Sequence, residues 1–106
     1  MNHIITDVVK KVQIKDDEGK HVAFLIMSIA GKTGTIGSVE GKGAFFYVLR
    51  DMPQICEECG VDKVISIMEL RVYEKFKKHI NHLDVKINRQ IKYKGMDMLE
   101  LEITQG

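Results

Sequence analysis

The sequence predicts an α+β domain built on a mixed, mostly antiparallel sheet, with elements in the order β-β-β-α-β-α-β-β. Three observations carry this expectation. Turn-forming clusters at Asp16-Asp17-Glu18-Gly19 and at Gly31 to Gly34 punctuate three β-like runs. An apolar stripe with spacings of three and four runs from Phe45 to Cys59. Two alternating segments close the chain around Lys94-Gly95.

A length of 106 residues fits one domain, taken as residues 1–106. A net charge of +1 gives no global attraction to nucleic acid or membrane. The longest apolar run, Val22 to Ala30, is far short of the roughly 20 residues that span a bilayer, so no membrane partner is expected. The N-terminus shows no basic-then-apolar signal pattern, and a cytoplasmic setting is the expectation. Two cysteines alone do not make a disulfide framework.

Val8 to Lys15 is rich in β-branched residues and reads as a strand. His21 to Ile29 is apolar at nearly every position, which predicts a central strand covered on both faces. Thr35 to Val39 is a short third strand containing Gly37. Phe45, Val48, Leu49, Met52, Ile55, Cys56 and Cys59 then form the stripe of a half-buried helix. Pro53 lies inside it, and its missing N–H predicts a kink or split. Gly60 is the expected C-terminal cap. Val61 to Met68 is a strand reached through that helix, an order that permits parallel pairing. Glu69 to Ile80 reads as a second helix with Leu70, Tyr73, Phe76 and Ile80 on one side. Asp84 to Tyr93 and Met98 to Ile103 read as a terminal hairpin.

The stretch that concentrates chemistry is Glu40-Gly41-Lys42-Gly43-Ala44-Phe45. Glycines leading into a helix N-terminus expose main-chain N–H groups, and these together with the helix dipole favour an anion. By itself a lone GxG is more often a plain tight turn into a helix.

The element order and two local motifs resemble the GNAT superfamily of acyl-CoA-dependent N-acyltransferases, over about Val8 to Ile103. Residues 40–45 fall on that family's [RQ]-x-x-G-x-[GA] motif, the distance from Gly43 to Gly60 suits its helix, and Val72-Tyr73-Glu74-Lys75-Phe76 is similar to its Tyr-Glu-Lys segment. The resemblance implies acetyl-CoA as donor and a small-molecule or protein amine as acceptor. It implies that the strands Thr35 to Val39 and Val61 to Met68 splay to take the pantetheine arm. Main-chain N–H near Ser38 and Val39 would polarise the thioester, Gly41, Lys42, Gly43 and Ala44 would hold the cofactor, and Tyr73 would protonate the leaving thiolate. The chain departs from the motif at Glu40, where the family has a cation or amide, and at Phe45, where it has a small residue. A carboxylate there adds repulsion to a pyrophosphate, and a ring there would obstruct its approach. No base for the amine stands out; Glu40 and Glu69 are the nearest carboxylates.

Other patterns weigh less. Cys56-Glu57-Glu58-Cys59 with His79 and His82 has the outline of a zinc set. The histidines are spaced H-x₂-H, against the usual three to five intervening residues, and the cysteines lie on the apolar stripe, so no metal is expected. Arg71 to Lys94 holds eight cations against Glu74 and Asp84, either a basic face for nucleic acid or an acidic partner, or a solvated helix face and hairpin edge. An exposed hairpin edge would be available to a second copy, making a homodimer. Two function classes follow. The first is an N-acetyltransferase. The second is a GNAT-like domain without catalysis that acts as a binding or structural module. The ending Leu99 to Gly106 is faintly similar to small divergent GNAT-like domains of tailed phages.

Overall fold

The structure is a computed structural model that describes residues 8–105. His3 and Gly106 lie outside the described residues. The elements are β1 (Val8–Lys15), β2 (His21–Ala30), β3 (Thr33–Glu40), α1 (Ala44–Arg50), α2 (Met52–Cys59), β4 (Lys63–Glu69), α3 (Leu70–Phe76), a 3₁₀ turn at Lys77–His79, β5 (Leu83–Tyr93) and β6 (Met96–Gln105). The strands form one six-stranded sheet in the order β1-β2-β3-β4-β6-β5. β3 and β4 are parallel and every other neighbouring pair is antiparallel. This is the predicted α+β class with its mixed, mostly antiparallel sheet.

The register divides the sheet into two faces. Ala23, Leu25, Met27 and Ile29 of β2, Val64 and Met68 of β4, and Leu99, Leu101 and Ile103 of β6 all point to one face. There they share a core with Val48 and Leu49 of α1 and Met52, Ile55 and Cys56 of α2. Leu70, Val72, Tyr73 and Phe76 of α3 pack against the same core. The other face of β2, with Val22, Phe24, Ile26 and Ser28, is only half-buried. β2 is thus an interior strand covered by helices on one side, not on both as its composition suggested. Long apolar side chains that shield each other along a sheet read in sequence like side chains beneath a helix.

The boundaries that moved have local causes. Gly31, at φ 61, makes the second turn with Lys32, and the strand restarts at Thr33. Gly34 therefore belongs to β3, not to the turn: a Cβ there would overlap the Met27 sulfur on β2. The long helix is split at Asp51, with Pro53 in the first turn of α2. Gly60 caps α2 at φ 70, and its N–H and that of Val61 bond back to the last turn. The second helix is shorter than its stripe. It passes into the 3₁₀ turn, and Ile80 is buried just beyond.

Candidate functional site

Parallel pairing of β3 and β4 is confined to Thr33–Lys63, Gly34–Val64 and Thr35–Ile65. Past these rungs, β3 stays on β2 as far as Glu40, and β4 stays on β6 as far as Glu69. Each strand follows its outer neighbour and the two part, leaving a wedge between residues 36–40 and 66–69. The register of β3 on β2 slips between Ile26 and Met27, so that Gly37 is an extra residue opposite no partner. Such a bulge bends and twists its strand, and it sits where β3 leaves β4. α1 and α3 both start from the open end of the wedge, beyond the carboxyl ends of two parallel strands. That is where ligands collect in open sheets with parallel pairs.

Ser38, Val39 and the Gly41–Ala44 turn lie at this end. Ser38 and Val39 lie on the β3 wall. Consecutive strand residues send their amides to opposite edges, so one of the two presents its N–H to the wedge. Gly41, Lys42 and Gly43 make the turn into α1. The two glycines are needed for different reasons. Gly41, at φ 123, lies against the backbone of β2, and a Cβ would overlap the Val22 carbonyl oxygen. Gly43, at φ 69, caps the start of α1 and has open space where a Cβ would point. Of the two glycines, only Gly43 faces open space. The N–H of Ala44 is occupied by the Gly41 carbonyl at 3.2 Å, and that of Phe46 by Gly43 at 3.1 Å. The N–H groups of Lys42, Gly43 and Phe45 have no acceptor among the described residues. Phe45 is half-buried and packs on the core, while Glu40 is exposed. Tyr73 lies one turn into α3, half-buried against the core.

Ser66 is the residue that the motifs did not point to. It is the first residue of β4 beyond the last parallel rung, 2% exposed, and its hydroxyl has no hydrogen-bond partner among the described residues. A buried orphan hydroxyl costs about 1–3 kcal/mol. The sequence held a faint signal: Ser66 shares the parity of Val64 and Met68 in an otherwise apolar run.

A cleft of about 540 Å³ lies where β4 ends, between Glu69, Leu70, Arg71, Glu74 and the Met96-Asp97 turn of the β5–β6 hairpin. Its carboxylates are already engaged: Glu69 by Arg71, Glu74 by Lys77 at 2.6 Å, and Asp97 by Lys92 at 3.9 Å. The hydrogen bond that Lys77 donates to Glu74 raises the pKa of Lys77, as the bond that Arg50 donates to Asp51 raises that of Arg50. The cations between Arg71 and Lys94 are partly balanced in space. β6 lays Glu100 against Arg89 and Asp97 against Lys92, whereas Lys75, Lys78 and Lys86 form no ion pair among the described residues.

The residues of the zinc-like pattern have separate contacts. His79 meets the Phe46 ring edge-on, and His82 reaches the Leu49 carbonyl at 3.1 Å. Cys56 is buried and Cys59 half-buried, both reduced. The described residues contain no group of three or more side chains placed to hold a metal, and no helix long and apolar enough to cross a membrane.

No family model and no curated sequence matches the chain. Solved structures do resemble it. An acetyltransferase from Bacillus cereus superposes with a TM-score of 0.62 at 15% identity, over 91% of this chain and 72% of that one. TofI, crystallised with an inhibitor and MTA, gives 0.67 at 8% identity, over 91% of this chain and 64% of its own. BjaI, a CoA-dependent acyl-homoserine lactone synthase crystallised with SAM and isopentyl-CoA, gives 0.56 at 8% identity, over 88% and 66%. The six-stranded sheet, with its single parallel pair opening beside a glycine turn, is the fold of the GNAT acyltransferases.

Proposed function

We propose that the chain is an acyl-CoA-dependent N-acyltransferase that moves an acetyl group from acetyl-CoA to an amine. The observation that carries this reading is the wedge: β3 and β4 separate after three rungs and open onto a turn where three amides have no acceptor among the described residues. The residues present fit such a donor. The N–H groups of Lys42, Gly43 and Phe45, with the Lys42 ammonium, would receive its phosphates. The unpaired inner edge of β3 would hydrogen-bond its peptide-like arm as a missing strand would. The buried Ser66 hydroxyl would find its partner there. A bound thioester supplies an activated carbonyl carbon. The N–H from Ser38 or Val39 would stabilise negative charge on that carbonyl oxygen, and the Tyr73 hydroxyl would give its proton to the departing sulfur, worth about 10²–10⁴-fold. Glu40 weakens the cradle less than its motif position suggests, because its register partner Phe24 puts it on the face away from the core that α1 packs on.

A second reading has its own observation. Ile67, Tyr93 and Met96, at 49%, 57% and 41% exposure, are open apolar surface on that same face. A catalytically inactive module, phage-encoded or not, would use such a surface to bind a macromolecule. Calorimetric titration with acetyl-CoA and with CoA separates the two. Micromolar binding supports the transferase. No heat and no thermal shift at millimolar ligand would sink it and leave the binding module.

A further inference from the structure

We propose that the outer edge of β1 is a docking surface for an extended acidic peptide, which adds to the sheet as a further strand. β2 and β3 lie between this edge and the wedge, and the proposal stands apart from the acyltransferase reading.

β1 ends the sheet, with β2 as its neighbour on one side only. An antiparallel strand turns the N–H and C=O of every second residue away from its partner, so an edge strand presents a row of such groups outward. Outside its ladder with β2, the main chain of β1 makes one hydrogen bond among the described residues: the Lys15 carbonyl accepts from Arg50 Nη2 at 3.5 Å. From Val8 to Ile14 the outer side carries no main-chain partner among the described residues. Val8 and Val9, 51% and 66% exposed, give that edge an apolar start. Register partners share a face. Val8 and Lys10 lie on the helix side with Ile29 and Met27, and Val9 and Lys11 on the open side with Ser28 and Ile26.

The charge on the edge sets the sign of its partner. β1 holds Lys10, Lys11 and Lys15 and no carboxylate, and none of the three forms an ion pair among the described residues. The opposite edge of the sheet differs: on β5, Arg89 is matched by Glu100 at 3.2 Å and Lys92 by Asp97 at 3.9 Å. A second copy laid along β1 would bring both sets of lysines to one seam with no acid between them, and like charges facing each other across strands are destabilising. A strand bearing carboxylates meets the same lysines favourably. The edge thus excludes its own kind and admits an acidic segment.

A hollow beside the edge supplies a side-chain contact. It measures about 410 Å³, and Lys11 and Gln13 of β1 line it with His21, Phe24 and Glu40. Lys11 Nζ stands 4.4 Å over the Phe24 ring. Lys11 is on β1 itself, next to an added strand, whereas Glu40 is on β3, about 10 Å further across the sheet at the usual strand spacing. An acidic side chain on the open side of the added strand therefore meets Lys11 before Glu40. Main-chain pairing would give the affinity and this contact the choice of residue, the division of labour of strand-addition complexes.

The test follows amide NMR shifts of the whole chain against a blocked decapeptide alternating glutamate and threonine. The expected result is shifts along Val8 to Ile14 and at His21, with slowed hydrogen exchange at alternate amides of β1. Lys11→Glu should weaken binding by about tenfold, and a decapeptide alternating lysine and threonine should not bind. The glutamate peptide N-methylated throughout keeps its charge and loses its main-chain donors, so it should fail as well. No shift at millimolar peptide, shifts centred on β5, or equally tight binding of the N-methylated peptide overturns the assignment. So do equal shifts with an oligothymidylate, which would mark a general polyanion surface. Shifts at β1 that grow with protein concentration alone would hand the edge to a second copy and overturn it too.

Discussion

The ring of His82 donates to the Leu49 carbonyl, the acceptor that Pro53 cannot serve. In a continuous helix the N–H of residue 53 would bond to the oxygen of residue 49, and proline has none. A histidine from the link between α3 and β5 takes that place at 3.1 Å, tying the link to the break between α1 and α2. His82→Leu should cost about 1 kcal/mol in urea unfolding. In a Pro53→Ala background the helix regains its own donor, and the same change should cost less. Equal costs in the two backgrounds would show that the bond is idle.

Gly41 and Gly43 should respond differently to alanine. Gly41→Ala adds a backbone clash with Val22 to a strained φ, and should destabilise by about 3 kcal/mol or more. Gly43→Ala meets open space and should cost about 1–2 kcal/mol, the left-handed penalty alone. Thermal unfolding of the two variants checks the order. Donor affinity should fall more for Gly43→Ala relative to its loss of stability.

Ser66→Ala should separate stability from binding. Removing an unpartnered buried hydroxyl should raise the stability of the free chain by about 1 kcal/mol. If that hydroxyl meets the donor, the same variant should bind acetyl-CoA several-fold more weakly. A variant that is both less stable and equally tight would exclude Ser66 from the wedge.

Tyr73→Phe should leave the melting temperature near that of the wild-type chain, since the ring keeps its packing on the core. Turnover should fall by at least about 10²-fold, with acetyl-CoA affinity unaltered. Undiminished turnover would take Tyr73 out of the mechanism.

Where the sequence was informative, the information was local. β-Branched residues marked β1, alternation marked β5 and β6, and Pro53 and Gly60 marked the helix break and cap because each acts through its own backbone. What stayed hidden depends on neighbours distant in the chain. Gly34 looks like a turn residue until Met27 is placed across from it. His79 and His82 have no evident role until α1 is packed beside them. The basic run Arg71 to Lys94 looks unopposed until β6 lays Glu100 and Asp97 alongside. The resemblance implied the splay of β3 and β4, but its starting rung follows from the Gly37 bulge and the register. Ser66 acquires meaning only once that rung is known.

Because only three rungs join β3 to β4, the sheet is two ribbons, each continuous in sequence: β1-β2-β3 before the helices, and β4-β6-β5 after them. The first ribbon is assembled from contacts close along the chain, whereas β4 on β6 and the seam between the ribbons both close loops of some thirty residues or more, the seam for only three rungs. With the fewest rungs of any neighbouring pair, the seam is the first to slip, and its amides should exchange with solvent as one unit. A molecule bound across the wedge would act as extra thread, slowing that exchange in both ribbons at once.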